Sequence, residues 1–324
     1  MAIPVPRPAG PRPVPAASRW WSGIALAVAG SVLFSGKAVI VKLAYRHGAD
    51  AVSLIALRML FALPLFALAA WWAERPSRRP GEASPWRPGD AWKVVAIGLV
   101  GYWLASFLDF LGLQYVSAGL ERVILYLNPT LVLLISLAWL GRRPARREWA
   151  AMAVAYAGVL LVFGHDLVAH GAGGSGGGSG GRIWLGAGLV FLSALAYAIY
   201  LVASGTMIAR LGATRLTAWA SIVACLACIL QSLVVAPGGM FTQAAPVYAL
   251  SLLNGVACTV LPVFATMYAV ARIGSGPTSQ IGLVGPVSTI ALAAVFLDEP
   301  VGMLQLAGTA VVLASVAGLS ARRA

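Results

Sequence analysis

The chain has 324 residues, of which only 10% are charged and 60% are hydrophobic, and its mean hydropathy is +0.86. A water-soluble domain carries about 25% charged residues, so this composition excludes most soluble enzymes and predicts an integral membrane protein. The formal net charge of +13 would suggest nucleic-acid binding in a soluble chain. In a membrane protein, however, Lys and Arg collect in cytoplasmic loops, so we expect no nucleic-acid partner.

The predicted elements begin with an N-terminal arm, residues 1–19, which contains six prolines and three arginines. This arm is predicted to be disordered and cytoplasmic, without a cleavable signal-peptide pattern. Ten apolar stretches follow that reach the roughly 20 residues a helix needs to cross the hydrocarbon core. The predicted spans are residues 22–43, 52–73, 93–113, 118–140, 147–164, 183–205, 215–236, 246–271, 277–297 and 301–320. The predicted fold class is therefore an all-α integral membrane protein with ten transmembrane helices.

The distribution of basic residues predicts the orientation of these spans. Seventeen of the 23 Lys and Arg residues fall in the two termini and in alternate loops, and only Arg46 and Arg182 fall in loops on the opposite side. By the positive-inside rule, both termini are cytoplasmic. The predicted location is a bacterial-type inner membrane.

The chain also repeats itself at an offset of 157 residues. The aligned pairs are Leu104 and Leu261, Phe107 and Phe264, Gly119 and Gly276, Ile124 and Ile281, Pro129 and Pro286, and Leu140 and Leu297. The Gly and Pro pairs weigh most because backbone geometry gives them a reason to recur. We therefore divide the chain into a first repeat, residues 20–164, a Gly/Ser-rich external linker, residues 165–182, and a second repeat, residues 183–324. Five spans per repeat is an odd number, so the second repeat is predicted to be inverted relative to the first.

Two segments show the repeated pattern most clearly. They are LDFLGLQYVSAGLERVILYLNPTLVLLISLAWLG (Leu108 to Gly141) and its weaker echo MYAVARIGSGPTSQIGLVGPVSTIALAAVFLDEP (Met267 to Pro300). Each has a small-residue turn before a helix with a central proline, and the echo ends on Leu, two acidic residues and Pro. The first copy departs from that ending, because two arginines replace the acidic pair. Both segments resemble the EamA-type repeat of the drug/metabolite transporter superfamily.

The resemblance covers nearly the whole chain at the level of spans. It implies a transporter whose central cavity is lined by spans one to four and six to nine, with spans five and ten outside that ring. It also implies that a homodimer, where one forms, uses spans five and ten, in which Gly158 and Gly308 would allow close packing. Substrate identity does not follow, since similar proteins export amino acids, drugs and other small metabolites.

Charged residues inside the predicted spans are candidates for function. A charge in hydrocarbon costs about 2.5 to 3.5 kcal/mol on insertion scales, so each needs a partner, a wet cavity or a route to the interface. Five such residues reach a similar depth in the outer third of the first repeat, namely Lys37, Arg58, Asp109, Glu121 and Arg122. One hypothesis is a structural ion-pair network. The other is an outer gate or coupling site, in which Asp109 or Glu121 takes up a proton.

Three prolines inside spans each remove a backbone hydrogen bond to the carbonyl four residues earlier. The prolines are Pro129, Pro262 and Pro286, and the carbonyl groups left free are those of Leu125, Cys258 and Gly282. Such prolines can act as hinges that offer a polar backbone group to a ligand or a neighbouring side chain. Simple kinks are the alternative.

Polar and aromatic residues near the middle of the spans are the candidate substrate contacts. They are Tyr102, Trp103, Ser106, Tyr126, Asn128, Tyr197, Tyr200, Thr259, Tyr268 and Gln280. Aromatic walls with scattered hydroxyls and amides suit a small neutral or zwitterionic amphipathic molecule, such as an amino acid with an apolar or aromatic side chain. A cationic drug held by Glu121 and the rings is the alternative, and each aromatic residue taken alone is also compatible with packing.

Other classes of function have weaker support in the sequence. There is no nucleotide-binding motif, no Ser-His-Asp set and no metal-ligand spacing, so we expect no cofactor and no enzymatic activity. The cysteines Cys225, Cys228 and Cys258 lie in apolar runs and are interpreted as small buried hydrophobic residues. A channel or receptor does not need an inverted repeat. The sequence therefore predicts a secondary transporter that exports its substrate and is driven by a proton or substrate gradient.

Overall fold

The computed structural model describes residues 17–75, 86–113, 115, 124–125, 127–141, 145–146, 148–154, 156–158 and 180–285, and positions 288, 292, 295, 303, 307–308, 310–311 and 314. Over these residues the secondary structure is helical, with no β-strand. The first half contains α1 (Ala17–Arg46), α2 (Ala51–Glu74), α3 (Asp90–Gly98), α4 (Ala105–Leu113) and α5 (Asn128–Leu140). The second half contains α6 (Gly180–Leu211), α7 (Ala213–Val235), α8 (Ala245–Gly255), α9 (Leu261–Ile273) and α10 (Ser275–Ile281).

Six helical stretches in the described part of the chain are long and apolar enough to cross a membrane. They are Arg19–Arg46, Val52–Glu74, Asp90–Asp109, Trp184–Leu211, Ala213–Val235 and Ala245–Ile273. They coincide with predicted spans one, two, three, six, seven and eight, which confirms a multi-pass membrane protein. The predicted total of ten spans stays a prediction, because spans four, five, nine and ten include residues outside the described ranges.

The third and eighth spans share an unusual feature, a π-helical turn in mid-span. One covers Leu99–Leu104 and the other Val256–Val260, so they begin 157 residues apart, at the offset found in the sequence. In a π-turn the backbone hydrogen bond runs from the N–H of residue i to the carbonyl of residue i−5. The Leu261 N–H, for example, donates to the Val256 carbonyl. A π-turn is rare and is found mostly at functional sites. Its recurrence at one offset supports two related repeats.

The helices of the two halves pack against each other in a reciprocal arrangement. In chain order, α1 to α4 of the first half correspond to α6 to α9 of the second half. Helix α1 packs against α9, and correspondingly α6 packs against α4. In the same way, α2 packs against α8, and α7 packs against α3. Helices α2 and α7 also pack against each other. Contacts that swap between halves in this way are those expected of two repeats related by a pseudo-two-fold axis.

A single residue connects α6 to α7. Gly212 has a φ of +81°, a backbone conformation that favours glycine because a Cβ atom would be strained there. The connection is therefore very short. It brings Arg210, in the last turn of α6, and Arg215, in the first turn of α7, to the same end of the bundle.

Candidate functional site

A central cavity of about 300 Å³ lies between the two halves. Its wall comes from α1, α2, the third span, the start of α5, α6, the region around the second π-turn, and α10 with the 3-10 turn Gly282–Val284 that follows it. This volume is at the lower end of the roughly 300 to 1,000 Å³ typical of small-ligand sites. The cavity is therefore suited to a small molecule.

Five of the ten predicted substrate contacts line this cavity: Tyr102, Ser106, Asn128, Tyr197 and Thr259. Predicted charged residues from three different spans join them, namely Lys37, Arg58 and Asp109. The cavity thus combines aromatic rings, hydroxyl and amide groups, and charges of both signs. Tyr126, Glu121, Arg122 and Pro286 lie outside the described residues.

The structure does not bring four other predicted contacts to the cavity wall. Trp103 points towards α7, where its Nε1 donates to Gln231 Oε1 at 3.0 Å. Tyr200 is only 2% exposed and packs behind Tyr102, with ring centroids 5.2 Å apart. A Cβ atom on Gly101 would collide with the Tyr200 ring, so the small residue at position 101 makes room for that tyrosine.

The remaining two predicted contacts have other surroundings. The hydroxyl of Tyr268 is 2.6 Å from Thr214 Oγ1, and the Arg272 guanidinium lies 5.8 Å from the Tyr268 ring centroid. Gln280 is 3% exposed, and neither amide atom of its side chain has a hydrogen-bond partner within the described part of the chain. Neither residue lines the cavity.

Two of the three predicted prolines, Pro129 and Pro262, lie at the beginnings of helices. Pro129 is the second residue of α5, and Asn128 beside it donates from Nδ2 to the Ala194 carbonyl at 3.2 Å. Pro262 is the second residue of α9, directly after the π-turn, and the Thr259 hydroxyl of that turn donates to the Asn254 carbonyl at 3.0 Å. A regular α-helix thus begins one residue before each of these two prolines.

Two serines of α1 contact the segment that precedes Pro286. Ser31 Oγ donates to the Gly282 carbonyl at 2.9 Å, and Ser35 Oγ donates to the Gly285 carbonyl at 2.8 Å. The Gly282 carbonyl, four residues before a proline, is therefore bound by a neighbouring side chain. Sequence reasoning missed both serines, although their i, i+4 spacing places them on one face of a helix.

Two ion pairs join the halves at the end of the bundle where α2 ends and α3 begins. Arg210 binds Asp90 through both guanidinium nitrogens, with Nη1 2.6 Å from Asp90 Oδ2. Arg215 binds Glu74, whose Oε1 also accepts from Trp219 Nε1 at 3.0 Å. The sequence contained a signal for these pairs, since acidic residues flank the loop after span two and basic residues flank the loop after span six. They link the two halves at this end of the bundle.

Comparison with known proteins places the chain in a family. The profile of the EamA-like transporter family matches residues 21–164 and again residues 184–321. The chain belongs to the EamA-like transporter family. This family is part of the drug/metabolite transporter superfamily, so the resemblance seen in the sequence is confirmed.

Two further similarities accompany the family match of this EamA-like transporter. It is 31% identical over 311 residues to YcbK, an uncharacterized transporter of Bacillus subtilis (strain 168), and the alignment covers 93% of this chain and 94% of YcbK. A crystal structure of another protein has the same fold, with a TM-score of 0.69 and 17% sequence identity. The match covers 93% of this chain and 97% of the other chain. A transport function in a membrane therefore has support from sequence and family alike.

One of the three buried cysteines can report on the cavity. Cys258 lines it, whereas Cys225 and Cys228 pack in an apolar cluster with Met59 and Phe66. We expect N-ethylmaleimide to modify Cys258 faster than the other two, because a thiol must be reached by the reagent in order to react. Mass spectrometry of the labelled, purified protein measures the three rates. A Cys258→Ala variant is the control, and equal labelling of all three cysteines would contradict this location of the cavity.

Proposed function

We propose that this EamA-like transporter is a secondary transporter that exports small amphipathic metabolites, such as amino acids, across a bacterial-type inner membrane. In this proposal ten spans form two inverted five-helix repeats, with both termini in the cytoplasm. The repeats rock about the central cavity to give alternating access. The observation that carries the proposal is the cavity itself, which lies between the repeats and combines rings, hydroxyls and charges of both signs.

The composition of the cavity wall supports an amphipathic substrate. Phe34, Tyr102 and Tyr197 supply aromatic surface, while Ser106 and Thr259 supply hydroxyl groups. Sites of this kind bury the apolar body of a ligand and orient it with a few polar contacts. A cationic drug is the second candidate, because the Asp109 carboxylate lines the same cavity as the rings.

The cross-repeat ion pairs and the predicted gate fit the same mechanism. Opening towards the end that holds Asp90 and Glu74 requires their bonds to Arg210 and Arg215 to break. Lys37, Arg58 and Asp109 line the cavity. Together with Glu121 and Arg122, which lie outside the described residues, they make up the proposed outer gate or coupling group. A dimer through spans five and ten is also proposed. Gly158 and Gly308 are already buried within the single chain, so such a contact would use other residues of those spans.

Counterflow in proteoliposomes tests the proposed function. Purified protein is reconstituted, loaded with unlabelled amino acids and assayed for uptake of a radiolabelled amino-acid pool, with and without an imposed pH gradient. Uptake above protein-free vesicles supports a transporter of amino acids. If only cationic drugs move, the second candidate replaces the first, and if neither class moves the proposal is wrong.

The same assay tests Asp109 as a proton carrier. We expect Asp109→Asn to lower gradient-driven uptake by at least about tenfold while leaving exchange without a gradient largely intact, because an amide cannot release a proton. The Glu121→Gln variant examines the other candidate carboxylate. Asp50→Asn is a matched control, since Asp50 caps α2 through the Ser53 N–H and Asn is an equally good N-cap. Uptake by the Asp109 and Glu121 variants at the parental rate would refute the coupling role.

A further inference from the structure

Arg58 of α2 is a buried cation on the wall of the central cavity. Only 6% of the residue is exposed, and its Nε has no hydrogen-bond partner among the described residues. Among the residues that the structure describes, no carboxylate lies within 4.0 Å of its guanidinium, since the described ion pairs belong to Arg210 and Arg215. A buried charge without a counter-ion is costly, and proteins retain one where a bound group compensates it.

Within the described part of the chain, the surroundings of Arg58 do not supply that compensation. Its electrostatic neighbours include the thiols of Cys225, Cys228 and Cys258 and the hydroxyl of Tyr102. Thiols and phenols are neutral at pH 7, given their ordinary pKa values. None of these groups provides the negative charge that a guanidinium prefers, and one side of Arg58 is open to the cavity.

The architecture does not require an arginine at this position either. Gly255, which precedes the second π-turn, packs against the backbone carbonyl of Arg58 in α2, and a Cβ there would lie 2.8 Å from that oxygen. Gly98, which precedes the first π-turn, packs in the same way against the carbonyl of Ala220 in α7. Arg58 and Ala220 are thus equivalent in this contact, and each is the eighth residue of its helix, counted from Ala51 in α2 and Ala213 in α7. The same helix contact is built with an alanine in one repeat, so the guanidinium of the other repeat is there for a different reason.

We propose that Arg58 binds the carboxylate of the transported molecule. This inference rests on the proposed transport function and names its substrate class. A guanidinium offers a planar fork that matches the two oxygens of a carboxylate. The neighbouring Tyr102 and Tyr197 rings cover an apolar body. The described wall also holds two basic residues, Lys37 and Arg58, and one acidic residue, Asp109. This balance of charges matches a singly charged carboxylate better than a multiply charged anion such as a phosphate. The substrates are therefore small monocarboxylates, including amino acids with apolar or aromatic side chains.

Protection of Cys258 from N-ethylmaleimide tests this proposal on the full-length purified chain. Three probes are compared: L-phenylalanine, 3-phenylpropionate and L-phenylalaninamide, which alone lacks the carboxylate. In the parental protein we expect the two carboxylates to slow labelling and the amide to have little effect. In Arg58→Gln the concentration of carboxylate that gives half-protection should rise by at least about tenfold. Arg58→Lys should give an intermediate value, because an ammonium keeps the charge but not the fork.

Two controls make the result specific. Arg46→Gln makes the same chemical change at an exposed arginine outside the cavity and should leave protection unchanged. The thermal midpoint of Arg58→Gln should be no lower than the parental one, since the substitution removes an uncompensated buried charge. A lower midpoint would indicate a structural ion-pair network and overturn the proposal. So would equal protection by acid and amide, no protection by any probe, or unchanged protection in Arg58→Gln.

Counterflow separates this inference from the transport function. If the parental protein transports amino acids and Arg58→Gln transports them at the same rate, the transport function is supported and the carboxylate site is refuted. If no compound is transported, but carboxylates protect Cys258 in the parental protein and protect it less in Arg58→Gln, the carboxylate site is supported and the transport proposal is refuted.

Discussion

Replacing Gly98 by alanine will lower the stability of the folded transporter. A Cβ atom at position 98 would collide with the backbone carbonyl oxygen of Ala220 in α7. A backbone atom cannot rotate away as a flexible side chain can, so α3 and α7 must move apart. Overpacking of this kind costs about 1 to 3 kcal/mol. Thermal unfolding of the purified protein in detergent measures the change, and Gly255→Ala, opposite the Arg58 carbonyl, should act in the same direction.

A matched glycine provides the control for this prediction. Gly188 lies within α6, and no heavy atom of the described residues comes within 4 Å of the Cβ that alanine would add there. Alanine is favoured over glycine inside a helix by about 1 kcal/mol, so Gly188→Ala should leave the thermal midpoint unchanged or raise it. If the variants at positions 98 and 188 unfold at the same temperature, the close helix contact is not present as described.

Reversing the charge of Asp90 will reduce transport strongly. The Asp90 side chain is 2% exposed, and Arg210 binds both of its oxygens. Asp90→Arg would place two guanidinium groups where the structure has an ion pair, and like charges repel. We expect counterflow per folded protein to fall by at least about tenfold, and the double variant Asp90→Arg/Arg210→Asp to recover part of the loss.

Full recovery in the double variant is not expected, for a local reason. Asp90 begins α3 and accepts the Arg87 N–H at 2.8 Å, while Arg210 lies in the last turn of α6. Both charges therefore also suit the dipoles of their own helices, and the swap opposes those dipoles. Lys93→Glu is the control, because it reverses an exposed charge on the same helix. A double variant no better than Asp90→Arg alone would show that the pair has no role in joining the halves.

The membrane class and the repeat could be predicted from the sequence because both follow from local physical rules. In hydrocarbon every backbone group must be bonded within its own segment, so apolar stretches of sufficient length form helices whatever their neighbours are. The 157-residue offset was readable for a similar reason, since glycines and prolines recur where backbone geometry demands them. Gly98 and Gly255 obey the same offset and precede the two π-turns. They were overlooked, although the signal was present in the sequence.

The side-chain content of the cavity was only partly predictable. Tyr102 and Trp103 are adjacent and were both expected to contact substrate, yet Tyr102 lines the cavity while Trp103 bonds to Gln231 of α7. Both lie inside the π-turn Leu99–Leu104. A π-turn places an extra residue in one turn and so rotates all later residues around the axis. Ordinary helical spacing therefore does not tell which side of the third span faces the centre.

The sequence by itself determined which segments enter the membrane and that they form two related halves, because burial of apolar helices in lipid depends on each segment alone. The tertiary structure decided which side chains meet. Arg210 meets Asp90 across 120 positions of the chain, and Ser31 meets Gly282 across 251. Arg58 gains its open position on the cavity wall only from the way α2 packs against α8. Such contacts depend on how helices from both halves pack together, and no single segment contains that information.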